Sequence, residues 1–349
     1  MEQKIKVLVM LTNRKPPSSR LRFQECRDDF LRCGIDADFI PIVSGPIGRA
    51  SLILKTRQYN CIIIQKKTSF NKFELILMRF LNPNIIFDYD DAVMFHEIEN
   101  CRPLSGKNLI KFLRTIRYCK AVVTGNEFLS EFAISNCQRV FVLPTPIDTT
   151  KYRMKDYYSK EDNGTVIGWI GVSGNLRYLK GIEPSLREIS KRYPDTKLKI
   201  ISNRTISIDG IRVIFKKWRI DEEIEDLRGI DIGIMPLDRS LWARGKCGYK
   251  ILQYMGVGVP VIASPVGING EIIRHGENGF LASTLEEWIE YIILLINSPE
   301  KRKYIGIQGR YTVEKSYSLK KYSENYNNVI RYIIDSIDKD NSTQQRSPI

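Results

Sequence analysis

Trp242–Ser264 reads WARGKCGYKILQYMGVGVPVIAS. Gly245 and Gly248 precede an apolar-periodic run, Tyr249–Met255, which Gly256 and Gly258 close; Pro260 then leads into a short buried-strand run, Val261–Ala263. A glycine turn that opens a helix leaves backbone N–H groups unpaired and aims the positive end of the helix dipole outward. An anion is the expected ligand at such a point. Lys246 and Lys250 lie four residues apart and share a helix face if the helix begins near Gly245; Gln253 follows three residues later. The stretch predicts a diphosphate cradle with one polar reader beside it.

Upstream, short apolar runs recur at Ile5–Leu11, Ala37–Pro41, Cys61–Gln65, Ile85–Tyr89, Ala121–Thr124 and Val140–Leu143. Between them lie helical patterns at Arg20–Cys33, Lys72–Leu81 and Asn108–Cys119. Strands alternating with helices over this length predict a parallel, doubly wound sheet, whose ligands sit at the carboxyl ends of the strands. Three strand-end loops carry chemistry. The first holds Arg14, Lys15, Arg20 and Arg22, which suit a phosphate or an acidic acceptor, or a solvated loop. The loop after Ile85–Tyr89 presents Asp88, Asp90 and Asp91, with His96 beyond. Such carboxylates can bind a metal or position sugar hydroxyls and an acceptor alcohol; a helix cap with solvated acids is the plainer alternative. In Gly125-Asn126-Glu127, a helix cap is the preferred reading. Asn108–Cys119 is amphipathic, with Leu109, Phe112, Leu113 and Ile116 on one stripe and Lys107, Lys111, Arg114 and Tyr118 opposite. Its basic face is either solvated or rests on anionic lipid.

Pro144–Asp148 ends this half, and the charged segment Lys151–Gly164 reads as an interdomain linker. A new strand, Val166–Gly171, opens the second half, and Gly171 and Gly174 lead into a helix over Leu176–Arg192. This is a second helix-start anion site, with Arg177 and Lys180 in its first turns. Strands follow at Lys197–Ser202, Arg212–Phe215 and Ile230–Ile234, then the opening stretch. The last helices, Glu286–Asn297, Lys301–Glu314 and Leu319–Ile337, end in a polar tail expected to be disordered. The organisation read from the chain is residues 1–150, 165–317, a helix over 318–337 and a tail over 338–349.

Composition narrows the class. A hydrophobic fraction of 43% with 27% charged residues is that of an ordinary globular chain. The net charge of +14 divides equally between residues 1–150 and 151–349. An excess so spread suits anionic partners but lacks the basic stripe with interleaved aromatics of a nucleic-acid binder, so no nucleic acid is expected. Seven scattered cysteines without a C-x-x-C pair, and two histidines, argue for reduced thiols and against a metal centre. No apolar run approaches the ~20 residues of a spanning helix. The expected location is cytoplasmic, with peripheral contact at the inner face of an anionic membrane as an option.

The order GKCGYKILQYMGVGVPVIASPVG, then NGEII, then G-x-N-G-F-L-A, resembles the donor-binding half of retaining glycosyltransferases of family 4, over about Val166–Tyr317. Looser likeness extends through FDYDDA, VVTGNEFL and LPTPIDTTKY. The resemblance implies the α/β GT-B architecture: two Rossmann-like domains facing across a cleft, with the last helix crossing back to the first domain. It implies metal-independent sugar transfer from a nucleoside-diphosphate sugar, as co-substrate and without a cofactor, to a glycan or lipid-linked acceptor with retention. The family's pair of glutamates eight apart is missing; Gly245 and Gln253 stand at those positions. Lys246 and Lys250, with Arg177 or Lys180, are then the diphosphate ligands. Gly171, Gly245, Gln253, Asn269 and Glu271 line the nucleoside and sugar, and Asp90, Asp91 or His96 orients the sugar or acceptor. A nucleotide-sugar epimerase of the same architecture and a non-catalytic carbohydrate or nucleotide binder remain the alternatives.

Overall fold

Val- and Ile-rich runs form the strands, and most are buried on both faces, as parallel sheets covered by helices require. The computed structural model describes residues 4–12, 17–95, 106–157 and 164–344. The chain divides into two compact units. One comprises Met1–Pro146, Gly245–Cys247 and Leu319–Ile349, and the other comprises Ile147–Arg244 and Gly248–Ser318.

The first unit holds strands β1 (Ile5–Leu11), β2 (Ile35–Pro41), β3 (Cys61–Gln65), β4 (Ile85–Tyr89), β5 (Ala121–Thr124) and β6 (Val140–Val142). They form a parallel sheet in the order β2-β1-β3-β4-β5-β6, with Val7 opposite both Ala37 and Cys61. The order reverses between β1 and β3, which places a ligand crevice at their carboxyl ends. The helices are α1 (Pro17–Ser19), running into a π-helical turn Arg20–Gln24, then α2 (Arg27–Arg32), α3 (Pro46–Lys55), α4 (Lys72–Leu81), α5 (Gly106–Tyr118) and α6 (Glu127–Ile134). One sequence-predicted helix, Arg20–Cys33, is thus broken, and the π turn carries Arg22 into the interior, where it is fully buried. Helix α3 escaped the sequence reading because Gly45 (φ 102°) and Pro46 look like a loop, although Pro is well placed in a first turn.

The second unit holds β7 (Val166–Ile170), β8 (Lys197–Ser202), β9 (Arg212–Lys217), β10 (Ile232–Met235), β11 (Val261–Ala263) and β12 (Phe280–Leu281), parallel in the order β12-β11-β10-β7-β8-β9. Here the reversal lies between β7 and β10. The helices are α7 (Arg177–Lys180), α8 (Glu183–Arg192), α9 (Glu223–Arg228), α10 (Leu241–Arg244), α11 (Tyr249–Gly256), α12 (Asn269–Ile272), α13 (Leu285–Asn297) and α14 (Pro299–Ser316). The expected helix over Leu176–Arg192 divides into α7 and α8 because Pro184 needs a fresh first turn. Residues 147–157 belong to this unit, although the sequence predicts 147–150 in the first half and 151–157 in a linker. Tyr152 is buried and donates to Glu223, Lys155 Nζ donates to the Ile230 carbonyl (2.6 Å), and Arg310 reaches the Thr149 carbonyl (2.7 Å).

The last helix, α15 (Leu319–Gln344), packs in the first unit. Tyr322, Tyr326, Ile330 and Ile333 join Phe23, Phe30 and the strands in one core, with Phe23 and Phe30 edge-on to Tyr326. The helix runs seven residues past the expected end at Ile337, since nothing in Asp338–Gln344 is a helix breaker; residues 345–349 lie outside the described ones. Among the described residues, no helix is long and apolar enough to cross a membrane.

Candidate active site

In the second unit, α11 follows β10 and opens at the reversal point of the sheet. Its N-cap is Gly248 at φ 66°, and no side chain caps it. A Cβ at Gly248 would stand 2.6 Å from Ile272 Cδ1, so both conformation and space call for glycine. One residue inside the helix, Lys250 lays its Nζ over the Trp169 ring, 4.1 Å from the centroid. The same ammonium lies against the end of β7: a Cβ at Gly171 would be 2.5 Å from Lys250 Nζ. Gly171, Trp169, Lys250 and the first turn of α11 therefore converge at the carboxyl ends of β7 and β10. Positive charge and helix-start amides together suit an anion. Asn269, fully buried in α12, donates from Nδ2 to the Ser264 carbonyl (2.9 Å), while its Oδ1 is buried without a hydrogen-bond partner. Such an acceptor suits a ligand hydroxyl.

Beside it, at the ends of β10, β11 and β12, a cavity of about 370 Å³ is lined by Arg177, Tyr178, Leu237, Ser264, Thr284 and Trp288, among others. Arg177 is on its wall and Lys180 is not. A larger cavity, about 860 Å³, opens among Thr165, Thr196, Asp231 and Pro260 at the amino ends of the strands. Parallel sheets of this kind bind at the carboxyl ends, so the smaller cavity is the candidate.

In the first unit, the ends of β3 and β4 carry a charge cluster that the sequence showed only in part. Lys66, just past β3, is the non-glycine residue with positive φ (59°) among those described. That strained conformation is typical of functional positions. Its Nζ lies 3.1 Å from Asp90 Oδ1, bonds Asp91 Oδ2 and reaches Ser18 Oγ at 3.3 Å. Burial alone would lower the Lys66 pKa, but Asp90 and Asp91 overcome it and hold it raised. Burial would likewise raise Asp90, yet Lys66 and Arg22 outweigh it and keep its pKa below the ordinary carboxylate value. Asp88 is turned the other way. It accepts from Arg22 Nε (2.9 Å) and Nη2 (2.6 Å) and from Tyr326 (3.2 Å), all three residues fully buried. Asp90 and Asp91 thus share Lys66 while Asp88 faces Arg22 and Tyr326, and no metal-holding group occurs among the described residues. Gln65, fully buried, accepts from Ser19 Oγ (2.6 Å), and its Nε2 has no hydrogen-bond partner. Gly125 lets the end of β5 approach this loop, since a Cβ there would be 3.0 Å from Asp90 Cα.

Several expected site residues stand differently from their sequence reading. Helix α11 begins at Tyr249, so Lys246 precedes the helix and does not share a face of it with Lys250. Gly245–Cys247 clusters with the first unit, where Asn126 caps α6 through Oδ1 and donates from Nδ2 to the Lys246 carbonyl (3.0 Å). A Cβ at Gly245 would be 2.6 Å from Ala92 Cβ, which leaves no room for the glutamate of the family pattern. Gln253 is buried and donates to Tyr152 (3.2 Å), which donates in turn to Glu223; its Nε2 is spent on internal structure. Glu271 is exposed on α12. His96, Arg14 and Lys15 lie outside the described residues. Lys66, Gln65 and Trp169 were missed because a lone Lys, Gln or Trp at a strand end carries no motif.

Against known proteins, residues 166–298 match the model of the family described as Glycosyl transferases group 1. A GDP-Man:Man(3)GlcNAc(2)-PP-Dol alpha-1,2-mannosyltransferase of Dictyostelium discoideum is 22% identical over 182 residues, covering 46% of this chain and 36% of that protein. Spore coat protein SA of Bacillus subtilis is 33% identical over 76 residues, covering 21% and 20%. The aligned stretches therefore span only a fifth to about a third of these relatives. Anabaena HepE, solved in complex with UDP and glucose, superposes with a TM-score of 0.71 at 15% identity over 94% of this chain and 100% of its own. Sucrose-phosphate synthase from Thermosynechococcus elongatus does so at 0.69 and 12%, over 96% and 100%. The chain has the GT-B fold of two Rossmann-like domains, and its residues 166–298 carry the sequence pattern of glycosyl transferases group 1.

Proposed function

We propose that this protein transfers a sugar from a nucleoside-diphosphate sugar to an acceptor hydroxyl, with retention of configuration. The observation that carries the proposal is Lys250, its Nζ stacked on Trp169 and lying against Gly171 where the second sheet reverses. In this reading the donor diphosphate sits on Lys250 and the start of α11. The nucleoside enters the cavity between Arg177, Tyr178 and Trp288, and Asn269 Oδ1 accepts from a sugar hydroxyl. As the bond from the anomeric carbon to the diphosphate oxygen breaks, its electron pair passes to that oxygen. Lys250 and the helix dipole stabilise the charge so formed. The acceptor oxygen then bonds the oxocarbenium-like carbon on the face the diphosphate leaves, and its proton goes to the departing phosphate oxygen. In the first unit Asp90, kept anionic by Lys66, and Asp91 are the carboxylates offered to hydroxyls, and Gln65 Nε2 offers a donor. No metal is invoked: the lysine and the helix start supply the positive charge.

The complex of HepE with UDP and glucose, and the GDP-Man in the mannosyltransferase's name, make uridine and guanosine donors the first to test. Incubation with UDP- and GDP-sugars bearing a labelled sugar is expected to release nucleoside diphosphate slowly in water and faster with a glycan or lipid-linked acceptor. Interconversion of sugars would assign an epimerase instead, and tight binding without turnover a non-catalytic binder.

A further inference from the structure

Helix α4 buries Leu75 and Met78 and turns Phe73, Ile76, Leu77 and Phe80 to solvent. Phe73 and Phe80 are 82% and 84% exposed, and Ile76 and Leu77 between them are also exposed. A spacing of seven residues puts the two phenylalanines on one stripe opposite the buried side, with Leu77 between them. Four large apolar groups on a two-and-a-half-turn ridge exceed the scattered exposure normal for a soluble surface. The neighbouring α5 adds Ile110, 64% exposed. Lys72 of α4 and Ile110, Arg114 and Arg117 of α5 line one shallow groove between the helices.

Charge decides what covers this ridge. The two helices carry Lys72, Arg79, Lys107, Lys111, Arg114 and Arg117, and one acid, Glu74. Glu74 is taken by Arg49 in a two-pronged ion pair (2.6 and 2.7 Å) on the side facing α3. On a helical projection Lys72 and Arg79 lie together on the flank facing α5. The face is therefore an apolar ridge with a basic margin, the arrangement of an interfacial helix that sinks aromatic side chains between lipid headgroups. A second copy of this chain would set the same cations against each other, which opposes a symmetric pairing. We infer that α4 and α5 dock the protein on an anionic lipid bilayer, Phe73 and Phe80 entering the headgroup–acyl boundary and Lys72, Arg79 and the α5 cations meeting lipid phosphates.

Sedimentation of the full chain with sucrose-loaded vesicles tests this. Vesicles of phosphatidylcholine mixed with phosphatidylglycerol are expected to carry the protein down in a salt-sensitive manner, and phosphatidylcholine alone to carry little. Phe73→Ser with Phe80→Ser should weaken partitioning at least about tenfold at low salt. Lys72→Gln with Arg79→Gln should weaken it about ten- to thirtyfold and flatten the salt dependence. All four side chains are exposed, so both double variants should melt as the parent does. Phe80→Trp gives an independent reading: added blue-shifted emission that brominated lipid quenches. Equal partitioning of parent and phenylalanine variant, or no preference for the anionic vesicles, overturns the inference. So does a concentration-dependent dimer in light scattering that the phenylalanine variant abolishes, which would make a second copy the occupant.

Discussion

Replacing Lys250 with alanine removes the ammonium on which the proposed donor site is built. A charge-assisted hydrogen bond from lysine to a phosphate contributes about 1.5–3 kcal/mol, or about 10- to 150-fold in Kd. The bare Coulomb term at 4 Å and an effective dielectric of 20, about 4 kcal/mol, sets the ceiling. Position as well as charge is at stake, because Nζ lies over Trp169 and within 2.5 Å of where a Gly171 Cβ would stand. Gly171→Ala should therefore displace the ammonium and reproduce much of the loss without touching the lysine. Titration calorimetry of UDP and GDP against the parent, each single variant and the double variant separates the two effects. Expected are a weakening of about tenfold or more for each single variant and little further loss in the double, because both act through one group. The deficit should shrink as salt is raised. An affinity of Lys250→Ala within about twofold of the parent, or full additivity of the two substitutions, would refute the placement of the diphosphate.

Lys66→Met leaves Asp90 buried with its principal cationic partner gone, so burial prevails and the Asp90 pKa rises. The acidic limb of kcat/KM should move to higher pH, with Lys66→Arg restoring it; an unmoved limb would exclude Asp90 from the reaction. The sign for stability follows the same depressed pKa: the contribution of Asp90 is full above the unfolded carboxylate pKa and fades as pH falls through the folded one, as acid unfolding curves would show. Arg22→Met strands fully buried Asp88 and should cost about 3–5 kcal/mol in urea unfolding, while Tyr326→Phe should cost about 1 kcal/mol. Gln253→Glu would set a second carboxylate into the Tyr152–Glu223 network, so it should destabilise by about 2 kcal/mol or more and add no activity; a gain in turnover would show that the glutamate of the family pattern was missing in function.

The sheets were legible because parallel strands buried on both faces are short unbroken apolar runs. Ile5–Leu11, Cys61–Gln65, Ile85–Tyr89 and Ala121–Thr124 match β1, β3, β4 and β5 end to end. Helix ends set by long-range demands were less so. The π turn at Arg20–Gln24 exists because Arg22 reaches Asp88 sixty-six residues away, and nothing local encodes that. Asp90 and Asp91 stood out in sequence as a cluster of acids at a strand end. Their lysine lies just past the neighbouring strand and becomes a partner only through the β3–β4 register, in which Gln65 sits opposite Asp88. That Gly245 and Gln253 are not glutamates was visible, but what surrounds them was hidden: Gly245 has Ala92 against it, and Gln253 is bonded to Tyr152. Lys246 misled because four-residue spacing implies a shared face only inside one helix, and Gly248 in the left-handed region starts the helix later.

The most direct test follows a nucleoside-diphosphate sugar by NMR in the presence of the protein, without acceptor. Expected is slow release of nucleoside diphosphate together with free sugar first seen in the anomeric configuration of the donor, at a rate that falls about tenfold or more in Lys250→Ala. Sugar released with inverted configuration, or release at an unchanged rate from Lys250→Ala, would contradict retaining transfer from a donor held on Lys250.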